Sequence, residues 1–169
     1  AASDKALYDR VLTRLGELED RKYCLVVETV SSHQPFTDPF TGELASIEVP
    51  LRYTDEMVGF FYDALKSQGF FDNGLLFIVG DHRSMTPLRP GEYKLYGESS
   101  TARVPLIIAD GGRSGRRVIE KAFQQTDFLP SLMSAFSGAR IESPFYGDFL
   151  TEPLRSPRYI LHARGDDRS

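Results

Sequence analysis

The feature that most constrains this chain is an alternation of short, β-branched apolar runs with amphipathic stretches of helical period. Residues 23–30 (YCLVVETV), 75–79 (LLFIV) and 104–109 (VPLIIA) are each apolar enough to sit as buried strands. Before the first run, Leu7, Val11, Leu12, Leu15 and Leu18 recur at helical spacing behind Ser3 and Asp4, either of which can cap a helix. Between the first and second runs, Met57, Phe60, Phe61, Ala64 and Leu65 predict a helix over 53–71, with Thr54 as a cap and Gly69 near the end. A short helix is expected over 126–136, with Pro130 in its first turn, and a last strand over 159–163. The alternation implies βαβ units: an α/β domain with a mostly parallel sheet and helices on both faces.

The 169 residues amount to one domain, and 41% hydrophobic with 12% aromatic content supplies a core. Twenty basic against 24 acidic side chains give a net charge of −4, which leaves no basic field for a nucleic acid partner. The single Cys24 excludes an internal disulfide and any metal site of the CxxC type, and its place in the first apolar run makes it a core residue. No apolar run reaches 18 residues and the first residues, AASDKALYDR, lack a secretion-signal pattern, so the chain is expected to be soluble, with any membrane anchor outside it.

Ligands of open α/β sheets bind beyond the carboxyl ends of the strands, which singles out two places. The first is Gly80-Asp81-His82, where a carboxylate and an imidazole follow a buried run. Adjacent residues point apart on a strand, so the pair must sit in the turn beyond it, where a glycine eases the bend. Asp81 and His82 are suitable ligands for Mn²⁺ or Zn²⁺; the plainer alternative is a turn-capping Asp beside a backbone-bonded His. The second place is His33, directly after the first run. Residues 83–102, with no clear period, read as an irregular loop in which Arg83 either touches phosphate or faces water. Tyr93 and Tyr96 line a groove or pack locally; Arg103, Arg113, Arg116 and Arg117 read as solvated charges, with the last three alternatively facing anionic lipid head groups; and His162 reads as structural.

Glu28-Thr29-Val30-Ser31-Ser32-His33-Gln34-Pro35-Phe36 resembles the T-x-S/T-x-H-x-P-F/Y block of the sulfatase-like phosphoglycerol transferases, the group that includes lipoteichoic acid synthase. Tyr53-Thr54-Asp55, the helix after it, Gly69 to Gly74 and Ile78-Val79-Gly80-Asp81-His82 resemble the next block, and Val104 to Ile108 and Thr126 to Leu132 are similar to those that follow. Order and spacing agree over residues 20–138.

The resemblance implies an alkaline phosphatase-superfamily domain at the extracytoplasmic face of a bacterial membrane. It implies covalent transfer of a phosphoglycerol or phosphoethanolamine head group from a phospholipid, through a metal-bound Thr, to a glycan or lipid acceptor. It makes Asp81 and His82 metal ligands and His33 a substrate-binding residue. With three histidines in the chain, one divalent metal is expected, Mn²⁺ first, with Zn²⁺, Mg²⁺ or Ca²⁺ as alternatives.

The family's nucleophile and a further carboxylate ligand lie upstream of the T-x-S-x-H block, where this chain has no counterpart. The chain is therefore expected to be the carboxyl-terminal portion of the catalytic domain, partnered by a missing amino-terminal half, and inactive alone. Cys24 lacks the C-x-P/A-x-R surroundings of a sulfatase formylglycine site. Two other readings stand: a fragment of a sulfate or phosphate ester hydrolase, and a non-catalytic binding domain with a residual metal site. A sheet with few strands is also expected to expose an edge for self-association.

Overall fold

A first helix, α1 (Asp4–Leu18), begins where Ser3 caps it: the Ser3 hydroxyl accepts the Ala6 amide at 3.3 Å. A second, α2 (Glu48–Ser67), is the longest element, and the four-residue strands β1 (Leu76–Val79) and β2 (Leu106–Ala109) form a two-stranded sheet. Between the strands lies the short helix α3 (Glu92–Tyr96), followed by a 3₁₀ turn at Gly97–Thr101; α4 (Phe128–Ser137) comes after β2. The structure, a computed structural model, describes residues 3–18, 22–112, 115–116, 118–119, 122–139, 147–148, 150 and 160. The expected strand at 159–163 and His162, Arg113 and Arg117 lie outside the described residues, apart from Ile160.

The chain divides into two compact units, residues 1–77 with 108–113 and residues 78–107 with 114–169. The first holds the core. Tyr8 and Val11 on one face of α1 meet Phe61 and Leu65 on one face of α2, with Phe71 beneath them. The Tyr8 and Phe61 rings stack with centroids 4.5 Å apart, and Phe71 packs against Tyr62 and Phe70 at 5.1 and 5.2 Å. Each such side chain contributes about 1.5–3 kcal/mol by leaving water. Burial, and secondarily the Asp4 charge, pushes the Tyr8 hydroxyl above its ordinary pKa of 10.0. Gly111 closes this unit against Phe71: at φ +73° it takes the left-handed conformation, and a Cβ there would lie 2.7 Å from Phe71 Cβ.

Several expectations are corrected. Residues 23–30 form no strand: Leu25, Val26 and Val30 are exposed, Val26 by 88%, and Cys24 is exposed rather than a core residue. A β-branched run favours an extended backbone, but a strand needs a ladder partner, and none pairs with it among the described residues. A mostly parallel sheet is likewise not seen there; the described residues carry mixed helices and two strands. Helix α2 starts at Glu48, with Pro50 in its first turn where a missing N–H costs little, so Thr54 lies inside the helix and caps nothing. Residues 83–102 are less irregular than expected, since α3 and its 3₁₀ turn lie there. The helices α1 and α4 and both short strands fall where the pattern put them, α4 with Pro130 in its first turn.

Candidate functional site

His33 belongs to the first unit, and Asp81 and His82 to the second. In the first, residues 30–33 form a turn in which the His33 amide donates to the Val30 carbonyl at 3.0 Å. The imidazole is exposed, and its Nδ1 contacts the Gln34 carbonyl oxygen. A carbonyl oxygen only accepts, so a proton on Nδ1 suits this contact and Nε2 is left for a ligand. As an imidazolium, Nε2 can donate to a phosphate oxygen.

In the second unit β1 ends at Val79 and the chain bends at Asp81 and His82, beyond the strand as the adjacency of the pair requires. The Gly80 amide donates to the Pro105 carbonyl at 3.1 Å, and a Cβ on Gly80 would meet Pro105 Cδ at 3.2 Å. The Pro105 ring and the Val104 side chain, rather than an unusual dihedral, make this position tight for a Cβ.

Past the bend, Asp81 Oδ1 accepts the His82 amide at 2.7 Å, and His82 Nδ1 donates to the Arg83 carbonyl at 2.8 Å. That bond fixes the tautomer and gives a neutral His82 its lone pair on Nε2, which faces Asp81 Oδ2 at 3.4 Å. Two ligand atoms each ~2.1 Å from one ion at a tetrahedral angle stand ~3.4 Å apart. The backbone bonds of Asp81 and His82 are those of a turn-capping Asp beside a backbone-bonded His, and the spacing of Oδ2 and Nε2 would also suit two ligands of one ion. The side chains are 84% and 58% exposed, open to an incoming ion. Among the described residues no three His, Cys, Asp or Glu side chains gather into a metal cage, so further ligands would have to come from water or from outside those residues.

One neighbour that the sequence did not mark fixes this bend. The Gln125 side chain, 44 and 45 residues on, donates from Nε2 to the Asp81 carbonyl at 2.7 Å and the Gly80 carbonyl at 2.8 Å. Arg83, expected to touch phosphate or face water, does not face water: its side chain is 17% exposed and paired with Glu92. Its guanidinium donates to the Ser84 and Thr86 carbonyls at 2.8 and 2.7 Å and to Glu92 Oε2 at 2.7 Å, organising the 83–92 loop from within. The Glu92 carboxyl is held below its ordinary 4.5, first by the Arg89 backbone amide and then by the Arg83 guanidinium. Arg103 stacks on Tyr96, 4.1 Å from the ring centroid, and the exposed Tyr93 donates its hydroxyl to Glu98 at 2.7 Å. No signal in the sequence marks Gln125, because its contacts exist only once the fold has formed.

The model of the sulfatase family matches residues 1–139, and the chain belongs to that family. It is similar to Lipoteichoic acid synthase 1 of Bacillus subtilis (strain 168), 28% identical over 149 residues, which are 77% of this chain and 23% of that protein. It is also similar to Lipoteichoic acid synthase-like YvgJ of the same organism, 24% identical over 94% of this chain and 29% of the relative. Lipoteichoic acid synthase of Staphylococcus saprophyticus is 29% identical over 62% of this chain and 19% of its own length. The chain spans less than a third of each of these relatives. No solved structure matches. Among the described residues no helix is long and apolar enough to cross a membrane.

Proposed function

We propose that this chain is part of a metal-dependent transferase that moves phosphoglycerol, or phosphoethanolamine, from a phospholipid head group to a glycan or lipid acceptor at the extracytoplasmic face of a bacterial membrane. The observation that carries the choice of chemistry is that relatives of two genera, aligned over 62–77% of this chain, are named lipoteichoic acid synthases, and another, aligned over 94%, is named lipoteichoic acid synthase-like.

In this reading Asp81 and His82 supply two ligands to one divalent cation, Mn²⁺ first, and their donor set and 3.4 Å separation support the assignment. Such a cation neutralises phosphate oxygens and lowers the pKa of a coordinated hydroxyl. The chain's own residues do the rest. His33 holds a non-bridging phosphate oxygen through Nε2. Gln125 and the Arg83 carbonyl hold the Asp81–His82 bend in place. The nucleophile and the remaining ligands come from an amino-terminal half of the domain outside these residues. That hydroxyl attacks phosphorus, the bond to the lipid oxygen breaks, and the diacylglycerol leaves with the proton; an acceptor hydroxyl then takes the phosphoglycerol and releases the enzyme group. Residues 1–169 alone bind metal weakly and do not turn over.

The test uses the whole protein that carries this sequence, supplied with Mn²⁺ and phosphatidylglycerol vesicles. Diacylglycerol release is expected, and Asp81→Ala and His82→Ala are expected to lower it about 100-fold or more. Hydrolysis of a sulfate ester with no diacylglycerol release would favour the hydrolase instead. Full activity in both variants would remove the pair from the site.

A further inference from the structure

We infer that Asp4 is the positioning residue for His33. The inference rests on the reading of His33 as a substrate-binding residue.

Asp4 is the first residue of α1, yet its carboxylate does not serve that helix. Ser3 already caps it. Instead Asp4 Oδ1 accepts two backbone amides far along the chain, Val30 at 3.2 Å and Ser31 at 3.1 Å. These amides open the turn that the His33 amide closes on the Val30 carbonyl at 3.0 Å. One carboxylate oxygen therefore fixes the leading half of a turn whose last residue carries the exposed imidazole.

The surroundings set Asp4 apart from a residue kept for burial alone. It is 1% exposed while Val30 is 52% exposed, so the fixed end of the tie is deep and the end it holds is at the surface. Residues 23–30 lack a strand ladder, and the two bonds to Asp4 stand in for one at the place where the chain turns toward His33. Its Oδ2 is buried with no hydrogen-bond partner among the described residues, an arrangement that costs stability. Charge-assisted bonds to backbone amides are about twice as strong as neutral ones, which suits a carboxylate to a single-point anchor. Asparagine keeps an oxygen at the Oδ1 position and should hold the same turn; alanine should not.

The experiment is a double-mutant cycle in the whole protein that carries this sequence, reading KM and kcat for phosphatidylglycerol in vesicles together with a thermal melt. Asp4→Ala is expected to raise KM about tenfold with kcat changed less than about threefold. Asp4→Asn should restore KM to within about threefold of the parent, and Asp4→Ala should add nothing to His33→Ala, because the tie acts only through that histidine. Multiplied effects in the double variant, or Asp4→Asn as damaging as Asp4→Ala, would overturn the inference while leaving the function standing. If His33→Ala leaves KM unchanged, the reading of His33 fails and the inference goes with it. Should Asp4→Ala not fold, Asp4→Ser replaces it in the cycle; loss of the fold in both shows a purely structural residue and also overturns the assignment.

Discussion

Gln125 holds Asp81 by its backbone: the side-chain amide donates to the Asp81 carbonyl at 2.7 Å across 44 residues, with a second bond to Gly80 at 2.8 Å. The carboxylate is left free of Gln125, so this contact sets where Asp81 stands without competing for its oxygens. Outer partners that orient ligands commonly decide 10- to 100-fold of metal affinity (~1.4–2.7 kcal/mol). Gln125→Ala should weaken Mn²⁺ binding about tenfold in a calorimetric titration of the whole protein, with little change in melting temperature without metal. Unchanged affinity would reduce the clamp to a surface contact.

Arg83 and Glu92 make the 83–92 loop sensitive to acid. Glu92 is held below its ordinary 4.5 in the folded chain and returns toward it on unfolding, so the unfolded chain takes up protons first as pH falls. The stabilisation is fully present above about 4.5 and is lost as pH drops through the lower folded value. Glu92→Gln should lower the melting temperature at pH 7 but flatten its further fall as pH drops below about 4.5. Parallel acid limbs in the two proteins would show that another carboxylate governs the loss.

Gly111 tests the packing of the first unit. A methyl group there meets Phe71 Cβ at 2.7 Å and forces a side chain into φ +73°. Overpacking and left-handed strain each cost about 1–3 kcal/mol, so Gly111→Ala should lower the melting temperature by roughly 5 °C or more. A melt within a degree of the parent would mean that Phe71 moves aside freely.

What the sequence made legible was local. Leucines at helical spacing behind Ser3 gave α1, the apolar runs around Phe77 and Ile107 gave the two short strands, and Pro130 marked the first turn of α4. The position of Asp81 and His82 just past a strand followed from their adjacency alone. What was not legible depends on partners. Residues 23–30 carry strand propensity, but propensity makes no ladder, so Val26 and Cys24 are exposed where burial was expected. Thr54 read as a cap because nothing in its own neighbourhood says that the helix begins six residues earlier, at Glu48. Arg83 read as a free charge because its acceptor, Glu92, is nine residues away on a helix the pattern did not show. Asp4 read as a possible helix cap; that its carboxylate instead reaches Val30 and Ser31 is a fact of tertiary structure.

The same exposed run governs how the chain behaves alone. Tyr23, Leu25, Val26 and Val30 present apolar side chains to water along one segment, with no strand paired to it among the described residues. Such a segment presents apolar surface outside any strand ladder among the described residues, an opening for association between copies. Residues 1–169 should therefore show an average mass by light scattering that rises above the monomer with concentration. Val26→Lys places a charge on the most exposed apolar side chain of the run and should return the chain to monomer while changing stability by less than about 0.5 kcal/mol. A parent chain that stays monomeric at every concentration, or a Val26→Lys chain that associates as strongly as the parent, would place the sticky surface elsewhere or nowhere.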